Sequence, residues 1–402
     1  MSQAILPRSG VARPPLAVLV MMAAISPLAI NLFVPSVPSI AADLQAPYAK
    51  IQLGLSLYLV FMAIMQLVTG PISDRLGRRP VALASLVIFV IGSVMCAVAP
   101  NADMFLAGRI VQTTSAIGLM LSRTIVRDVY PRDKSASMIG YVVMAMAVAP
   151  MVGPAIGGLI DQLAGWRAVF VLLAACGAVT LAANWLMLPE TNASRGQSVR
   201  DQMRAWRGLA GMSAFWLYTM SAGLTAMVFF GFLGGGPAVA TGALGLSPFQ
   251  YGLWFALCAF GYAIGNFLSG RYSQRRGIET MMRDGAATTL SGPVIVLILF
   301  AAGLDHPASL FVPLILLGIG NGMVLPNSVA AVISLKPEAA GAASGLLGAL
   351  QIGLGAIGSV IGALAAGDGS SAIGLAIFLC IVSLGGLVGT LLAIRSPRPI
   401  EV

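Results

Sequence analysis

"GPISDRLGRRP", residues 70–80, sets Asp74, Arg75, Arg78 and Arg79 into one short turn of a 402-residue chain in which charged residues make up only 9%. Long apolar runs flank it on both sides. At residues 270–279, "GRYSQRRGIE" repeats Gly70, Ser73, Arg75 and Gly77 as Gly270, Ser273, Arg275 and Gly277, an offset of 200 that is close to half the chain. A charged turn between apolar segments, echoed half a chain later, predicts a bundle of membrane helices built twice.

Composition agrees. Hydrophobic residues are 58% of the chain, with 47 Gly and 23 Pro, more apolar surface than a soluble core of this length can hide. Strand-type alternation is absent, and helices satisfy their own backbone groups in lipid. Apolar runs of about 20 residues, enough to cross a bilayer of roughly 30 Å, fall at 16–38, 51–71, 81–99, 104–126, 135–160, 166–188, 212–237, 249–269, 282–303, 309–334, 341–366 and 370–394. The first of these is read as a retained helix rather than a cleaved leader, because it is long and lacks a cleavage site.

The 23 Lys and Arg residues are distributed very unevenly. One side of the bundle collects Arg8, Arg13, Arg75, Arg78, Arg79, Arg127, Arg132, Lys134, Arg195, Arg200, Arg204, Arg207, Arg271, Arg275, Arg276, Arg283, Lys336, Arg395 and Arg398; the other has Lys50 and Arg167. The positive-inside rule then puts both termini in the cytoplasm. The net charge of +9 is accounted for by anionic lipid headgroups as partner, and nothing argues for nucleic acid. Cys96, Cys176, Cys258 and Cys380 lie in separate spans, which excludes a disulfide framework or metal-ligand spacing. His306 reads as a loop residue and "NAS" at Asn192 as a chance match on the cytoplasmic side. No cofactor or metal is expected.

The repeat divides the chain into residues 1–188, a linker over 189–211, and residues 212–402. In the linker Val199, Met203, Trp206 and Ala210 follow helical spacing with Arg200, Arg204 and Arg207 elsewhere on the wheel, as in a helix on the membrane surface; a disordered basic linker is the alternative. A duplicated bundle is the architecture of secondary transporters, with a site between the repeats.

Gly70, Asp74, Arg75, Gly77, Arg78 and Arg79 match every fixed position of the loop between the second and third helices of the major facilitator superfamily, which the stretch resembles. The resemblance implies that Asp74 faces the start of the eleventh span, Gly341 to Ser344, and that Arg78 bridges Asp74 to Asp128 beside Arg127, closing the cytoplasmic side and releasing it when that side opens. "GYVVMAMAVAPMVGPAIGG" (140–158) is similar to the helix-five motif of drug exporters in that superfamily, with Gly140, Gly153, Pro154, Gly157 and Gly158 in place and Ala149 where a glycine is usual. Small residues permit close backbone approach and Pro154 permits a bend. With "GRIVQ", "RTIVRDVY", "GWRAVF" and "LPNSVAAVIS", the detail resembles the Bcr/CflA type of drug:proton antiporter. The expected fold is twelve helices in two six-helix halves. The expected function is proton-coupled export of phenicol-, bicyclomycin- or sulfonamide-like amphiphiles by a monomer in a bacterial inner membrane, not catalysis. An uptake carrier for a nutrient, or a dedicated metabolite exporter, is the alternative.

In the fourth span Gln112, Met120, Arg123 and Arg127 lie within roughly 60° of the line through Arg109 at about 100° per residue. An intramembrane arginine faces a bundle interior or wet cavity, or it snorkels to the interface. The resemblance assigns the Arg109–Gln112 pair to coupling and substrate binding. No acid falls at mid-membrane, and Asn31 stands where many relatives carry Asp, so Asp128, or Asp43 at the outer mouth, is the expected proton carrier. Without a carboxylate facing Arg109, the cavity should favour neutral or weakly anionic substrates. Its remaining candidate lining is Tyr58, Tyr141, Met144, Phe229, Trp254, Tyr262, Asn321 and Asn327.

Overall fold

The computed structural model describes residues 14–130, 132–192, 199–336 and 340–395, except for the side chains of residues 127, 132–137, 139–141, 143–147, 199–202 and 340. Among these residues there is no strand. The elements are α1 (Leu16–Asn31), a 3-10 turn (Val34–Ser36), α2 (Val37–Asp43), α3 (Tyr48–Leu76), α4 (Arg78–Ala97), α5 (Ala102–Gln112), α6 (Ser115–Val129), α7 (Arg132–Ala164), α8 (Trp166–Met187), α9 (Val199–Ala210), α10 (Ser213–Gly242), α11 (Pro248–Arg276), α12 (Ile278–Ala301), α13 (Pro307–Phe311), α14 (Leu314–Leu335), α15 (Ala340–Ala366) and α16 (Ile373–Arg395). Among the described residues, eleven segments are long and apolar enough to cross a membrane. The twelfth is α7, whose apolar run is Val148–Ala164.

Three spans depart from the uninterrupted helices the sequence predicts; the tenth, 309–334, is broken at Val312–Pro313 between α13 and α14. The first runs from Leu16 to Asp43, longer than 16–38, and is broken after Asn31. Pro35 has no N–H to give the Asn31 carbonyl, so the α-helical ladder stops and Ser36 N–H bonds Phe33 O in a tighter turn. The fourth span breaks at Thr113–Thr114 into α5 and α6. There the N–H groups of Thr113 and Thr114 reach back only three residues, to Ile110 O and Val111 O. Their hydroxyls bond the same two carbonyls, at 2.6 and 3.2 Å, competing with the α-helical ladder. The single polar face expected from Arg109 to Arg127 is therefore split: Arg109 and Gln112 are fully buried on α5, whereas Met120 and Arg123 on α6 are partly exposed.

The two halves meet along α3 with α15 and along α7 with α11. Contact is closest at the end of the bundle away from the arginine-rich turns. There a Cβ on Gly158 would come 2.2 Å from Pro248 O, and one on Gly252 2.3 Å from Pro154 O, so the seam admits no side chain at either position. Tyr48 donates to Gly234 O at 2.7 Å and Ser56 Oγ meets Ser359 Oγ at 2.5 Å. At the basic end, the Cβ positions of Gly70, Gly341 and Gly345 face nothing within 4 Å. Farther toward the basic end the halves still touch where a Cβ on Gly348 of α15 would come 2.6 Å from Gln66 Oε1 of α3.

Candidate functional site

The charged turn is built from α3, α4, α6 and the chain leaving α8. Gly77, between α3 and α4, has φ +98° and ψ 152°, a region open essentially to glycine alone; a Cβ there would also lie 2.5 Å from Glu190 Oε2. Arg78 opens α4 and is nearly buried. Its guanidinium pairs with Asp74, donates to Ser73 Oγ, and reaches Asp128 Oδ2 at 3.2 Å. Glu190 accepts from the N–H groups of Arg78 at 3.0 Å, Arg79 at 3.2 Å, and Thr191 and Asn192 at 2.9 Å each. A carboxylate thus caps the start of α4, where the helix presents unpaired donors. Asn192 Nδ2 donates to Asp74 O at 2.9 Å, and Arg79 to Trp185 O at 2.8 Å.

These neighbours push two acids in opposite directions. Partial burial raises Asp128 above the ordinary aspartate range, more than Arg78 lowers it, and Asp74 and Glu190 add to the rise. Burial acts upward on Glu190 too, but the four N–H donors outweigh it and hold the carboxyl below its usual value. Sequence reasoning placed Glu190 in the linker and missed this role. Only the fold brings it to α4 from 112 positions away.

One expectation about this turn is corrected. Among the described residues no hydrogen bond joins Asp74 to residues 341–344; its carboxylate is engaged by Arg78, and Gly341 faces open space. Instead Trp206 of the linker helix α9 donates to Ala342 O at 3.2 Å. Arg78 pairs with both Asp74 and Asp128, and all three residues belong to the same half.

In the second half, the equivalent turn has Gly277 at φ +83° and Gln274 where the first has Asp74; Glu279, in the first turn of α12, accepts from Tyr218 at 3.1 Å. Asn327 donates to Ser269 Oγ at 2.8 Å and to Met323 O at 2.7 Å, and accepts from Ser273 Oγ at 2.9 Å. Asn327 thus belongs to this neutral network.

Arg109 lies inside the first half and is fully buried, which rules out snorkelling. Its Nη1 donates to Ala29 O at 3.1 Å and Gln112 Oε1 at 2.7 Å, and its Nε to Gly54 O at 3.3 Å. Gln112 passes the chain on to Ser93 Oγ at 2.7 Å. The guanidinium lies 4.3 Å from the Phe33 ring centre and 4.7 Å from that of Tyr58, a cation–π arrangement that offsets part of its desolvation. Tyr58 is itself buried between Ser26 at 3.0 Å and Ser115 at 2.6 Å. Arg109, Gln112 and Tyr58 therefore tie α1, α3, α4, α5 and α6 together.

Asn31 is also buried, its amide bonded to Pro27 O at 2.8 Å and its Cβ 3.0 Å from the Cβ position of Gly153. In the second half Phe229 packs against Phe255, Trp254 stacks on Phe311 at 5.9 Å, and both remain partly exposed, as does Tyr262. Asn321 is buried on α14. The side chains of Arg127, Tyr141 and Met144, and Gly140 with them, lie outside the described residues. The structure thus distributes the predicted residues among the charged turn, the Arg109 network, the Asn327 network of the second half, Asn321 on α14, and the partly exposed Phe229, Trp254 and Tyr262 of α10 and α11, rather than in one pocket.

Comparison with known proteins follows this geometry. A sequence profile described as Major Facilitator Superfamily matches residues 19–359 and again 222–401. Multidrug resistance protein D of Escherichia coli is 31% identical over 382 residues, covering 92% of this chain and 95% of that protein. A chloramphenicol resistance protein of Pseudomonas aeruginosa is 32% identical over 318 residues, 78% and 73% of the two chains. Among solved structures, a D-xylose–proton symporter superposes with a TM-score of 0.77 over 95% of this chain and 97% of that one at 14% identity, which speaks to the fold alone. With its duplicated helical halves, its Gly70–Arg79 turn and a profile match over most of its length, the chain belongs to the Major Facilitator Superfamily.

Proposed function

We propose that the protein exports small, neutral or weakly anionic amphipathic drugs across a bacterial inner membrane by alternating access, driven by inward proton flow. The observation that carries this reading is 31% identity across 92% of the chain with a multidrug resistance protein, supported by 32% identity with a chloramphenicol resistance protein. The arginine-rich end is cytoplasmic by the distribution of Lys and Arg, and the termini lie there too. A bundle held most tightly at its outer end is assigned to the state that loads substrate from the cytoplasm. The protein works as a monomer, with anionic lipids against its basic turns.

Substrate meets the second half on the partly exposed aromatic face of Phe229, Trp254 and Tyr262, an apolar surface suited to loose recognition. Arg109 acts on it indirectly, by fixing the helices of the first half. Asp128 supplies the proton-responsive group on the cytoplasmic side: when it is protonated, its ion pair with Arg78 is lost and the charged turn is loosened.

Growth of an efflux-deficient bacterium expressing the protein, across phenicols, sulfonamides, bicyclomycin and organic cations, tests the reading. Expected is resistance to the neutral compounds that depends on the proton gradient and falls in Trp254→Ala at equal expression. Protection against none of the panel would overturn it.

A further inference from the structure

The outer end of the bundle holds a buried carboxylate outside the charged turn and the Arg109 network. Asp161 lies near the end of α7 and is only 8% exposed. Ser39 of α2 donates to its Oδ2 at 2.8 Å, and the hydroxyl of Ser36, in the turn that precedes α2, is buried without a hydrogen-bond partner. Among the described residues no cation is within ion-pair distance of it. One helical turn earlier, Gly157 and Gly158 put the α7 backbone against Leu32 O of the first span and Pro248 O of α11. Asp161 therefore sits at the seam that closes the outer side.

The other charged and titratable groups brought to this end by neighbouring elements are already engaged or carry no carboxylate. Asp43 of α2 pairs with Arg167 of α8 at 2.6 Å and also accepts from Trp166. Lys50 of α3 pairs with Asp103 of α5 at 2.8 Å. Tyr48 is bonded to Gly234 O, and α11 contributes the buried hydroxyl of Tyr251. The described charged residues of α6, Arg123 and Asp128, lie toward the opposite end of the bundle, and α1 has no charged residue. Asp305 and Asp368 are exposed in loops.

We propose that Asp161 is the outer-side proton acceptor of the transport cycle. It loads a proton from the external solution while the outer end is open, and the α7–α11 seam closes over it in the protonated form. This rests on the reading of proton-coupled export. The physical basis is that a carboxylate enclosed with a hydroxyl partner and no cation brings an uncompensated charge into a seam from which water is excluded. Protonation removes that charge, and deprotonation restores it and favours the wetted, open arrangement. The Ser39 hydroxyl suits both states, since it can accept a hydrogen bond from the acid or donate one to its anion.

The test reads the seam directly. Nitroxides are attached through Leu163→Cys and Leu304→Cys, both exposed at the outer end, in otherwise full-length protein in nanodiscs with Cys176→Ser and Cys380→Ser. The interspin distance is followed by pulsed electron resonance between about pH 5 and pH 9. Expected is an open-to-closed ratio that rises with pH by up to about tenfold per unit for one linked proton, is flat in Asp161→Asn, and keeps its slope with a displaced midpoint in Asp161→Glu. An Asp161→Asn protein with the parent's midpoint and slope, or a parent whose distances ignore pH, overturns the proposal. Asp161→Glu covers the case in which Asp161→Asn fails to fold. No drug is needed for this readout, so a seam that responds to pH in a protein that moves no chloramphenicol would sink the export reading while leaving the Asp161 switch standing.

Discussion

The turns at Gly77 and Gly277 share one backbone and differ in chemistry. Both glycines adopt positive φ with ψ near 150° between two long helices. Around the first, Arg78 is surrounded by Asp74, Asp128 and Ser73, with Glu190 capping the helix that follows. Around the second, the same ground is held by Asn327 and two serines. The second version makes the turn equally well with Glu279 bonded to Tyr218 and no arginine buried between two carboxylates, so the Arg78 network is not what shapes it. Among the described residues that network belongs to the first half alone, and with it the upward push on Asp128.

The sharpest way to break the comparison is to exchange the chemistries. Asn327→Asp places a carboxylate at a position only 3% exposed with no cation in its network, and should destabilise the protein by about 3 kcal/mol at neutral pH, read as a lowered unfolding temperature in detergent. Recovery at acidic pH would show that the charge is responsible. A value within 0.5 kcal/mol would mean, by the usual scale of neutral surface changes, that the second turn is wetter than its contacts indicate.

Gly77→Ala and Gly277→Ala come next. Each forces a side chain into a glycine region at about 1–3 kcal/mol, but only at Gly77 does the new Cβ meet Glu190. Gly77→Ala should therefore cost more, and equal melting shifts for the pair would show that the Glu190 cap yields freely. Glu190→Gln should cost about 1 kcal/mol, the scale of a lost helix cap. Its pH sign follows from the lowered carboxyl: the stabilisation is present above the unfolded glutamate pKa and disappears as pH falls through the folded one. The parent and Glu190→Gln melting curves should converge in acid; curves that stay parallel would contradict the cap.

These tests bear on what the sequence makes legible. The duplicated bundle could be read from hydropathy and from Gly70–Arg79 alone, because lipid enforces helices and a tight charged turn has few solutions. The Arg78–Asp128 pair was reachable because the family resemblance joins residues 50 positions apart. Glu190 was not, since "PET" looks the same whether it caps a distant helix or dangles in a linker. Periodicity also failed at Thr113–Thr114, where two hydroxyls shift the backbone bonds and break the wheel on which Arg109 and Arg123 had been aligned. Arg109 itself read as a residue lining a cavity. Its partner Gln112, three residues on, is local, but the carbonyls of Ala29 and Gly54 come from long-range packing, which no local pattern reports.

The central claim is that the first half's charged turn, through Asp128, carries the cytoplasmic response to protons. The most direct measurement is chloramphenicol transport by reconstituted protein under an imposed pH gradient, compared between the parent and Asp128→Asn, with gradient-free exchange as the reference. The account predicts that Asp128→Asn keeps exchange and loses at least about tenfold of the gradient-driven component, the equivalent of one proton linkage over one pH unit. Gradient-driven transport at the parent's level in Asp128→Asn would contradict it.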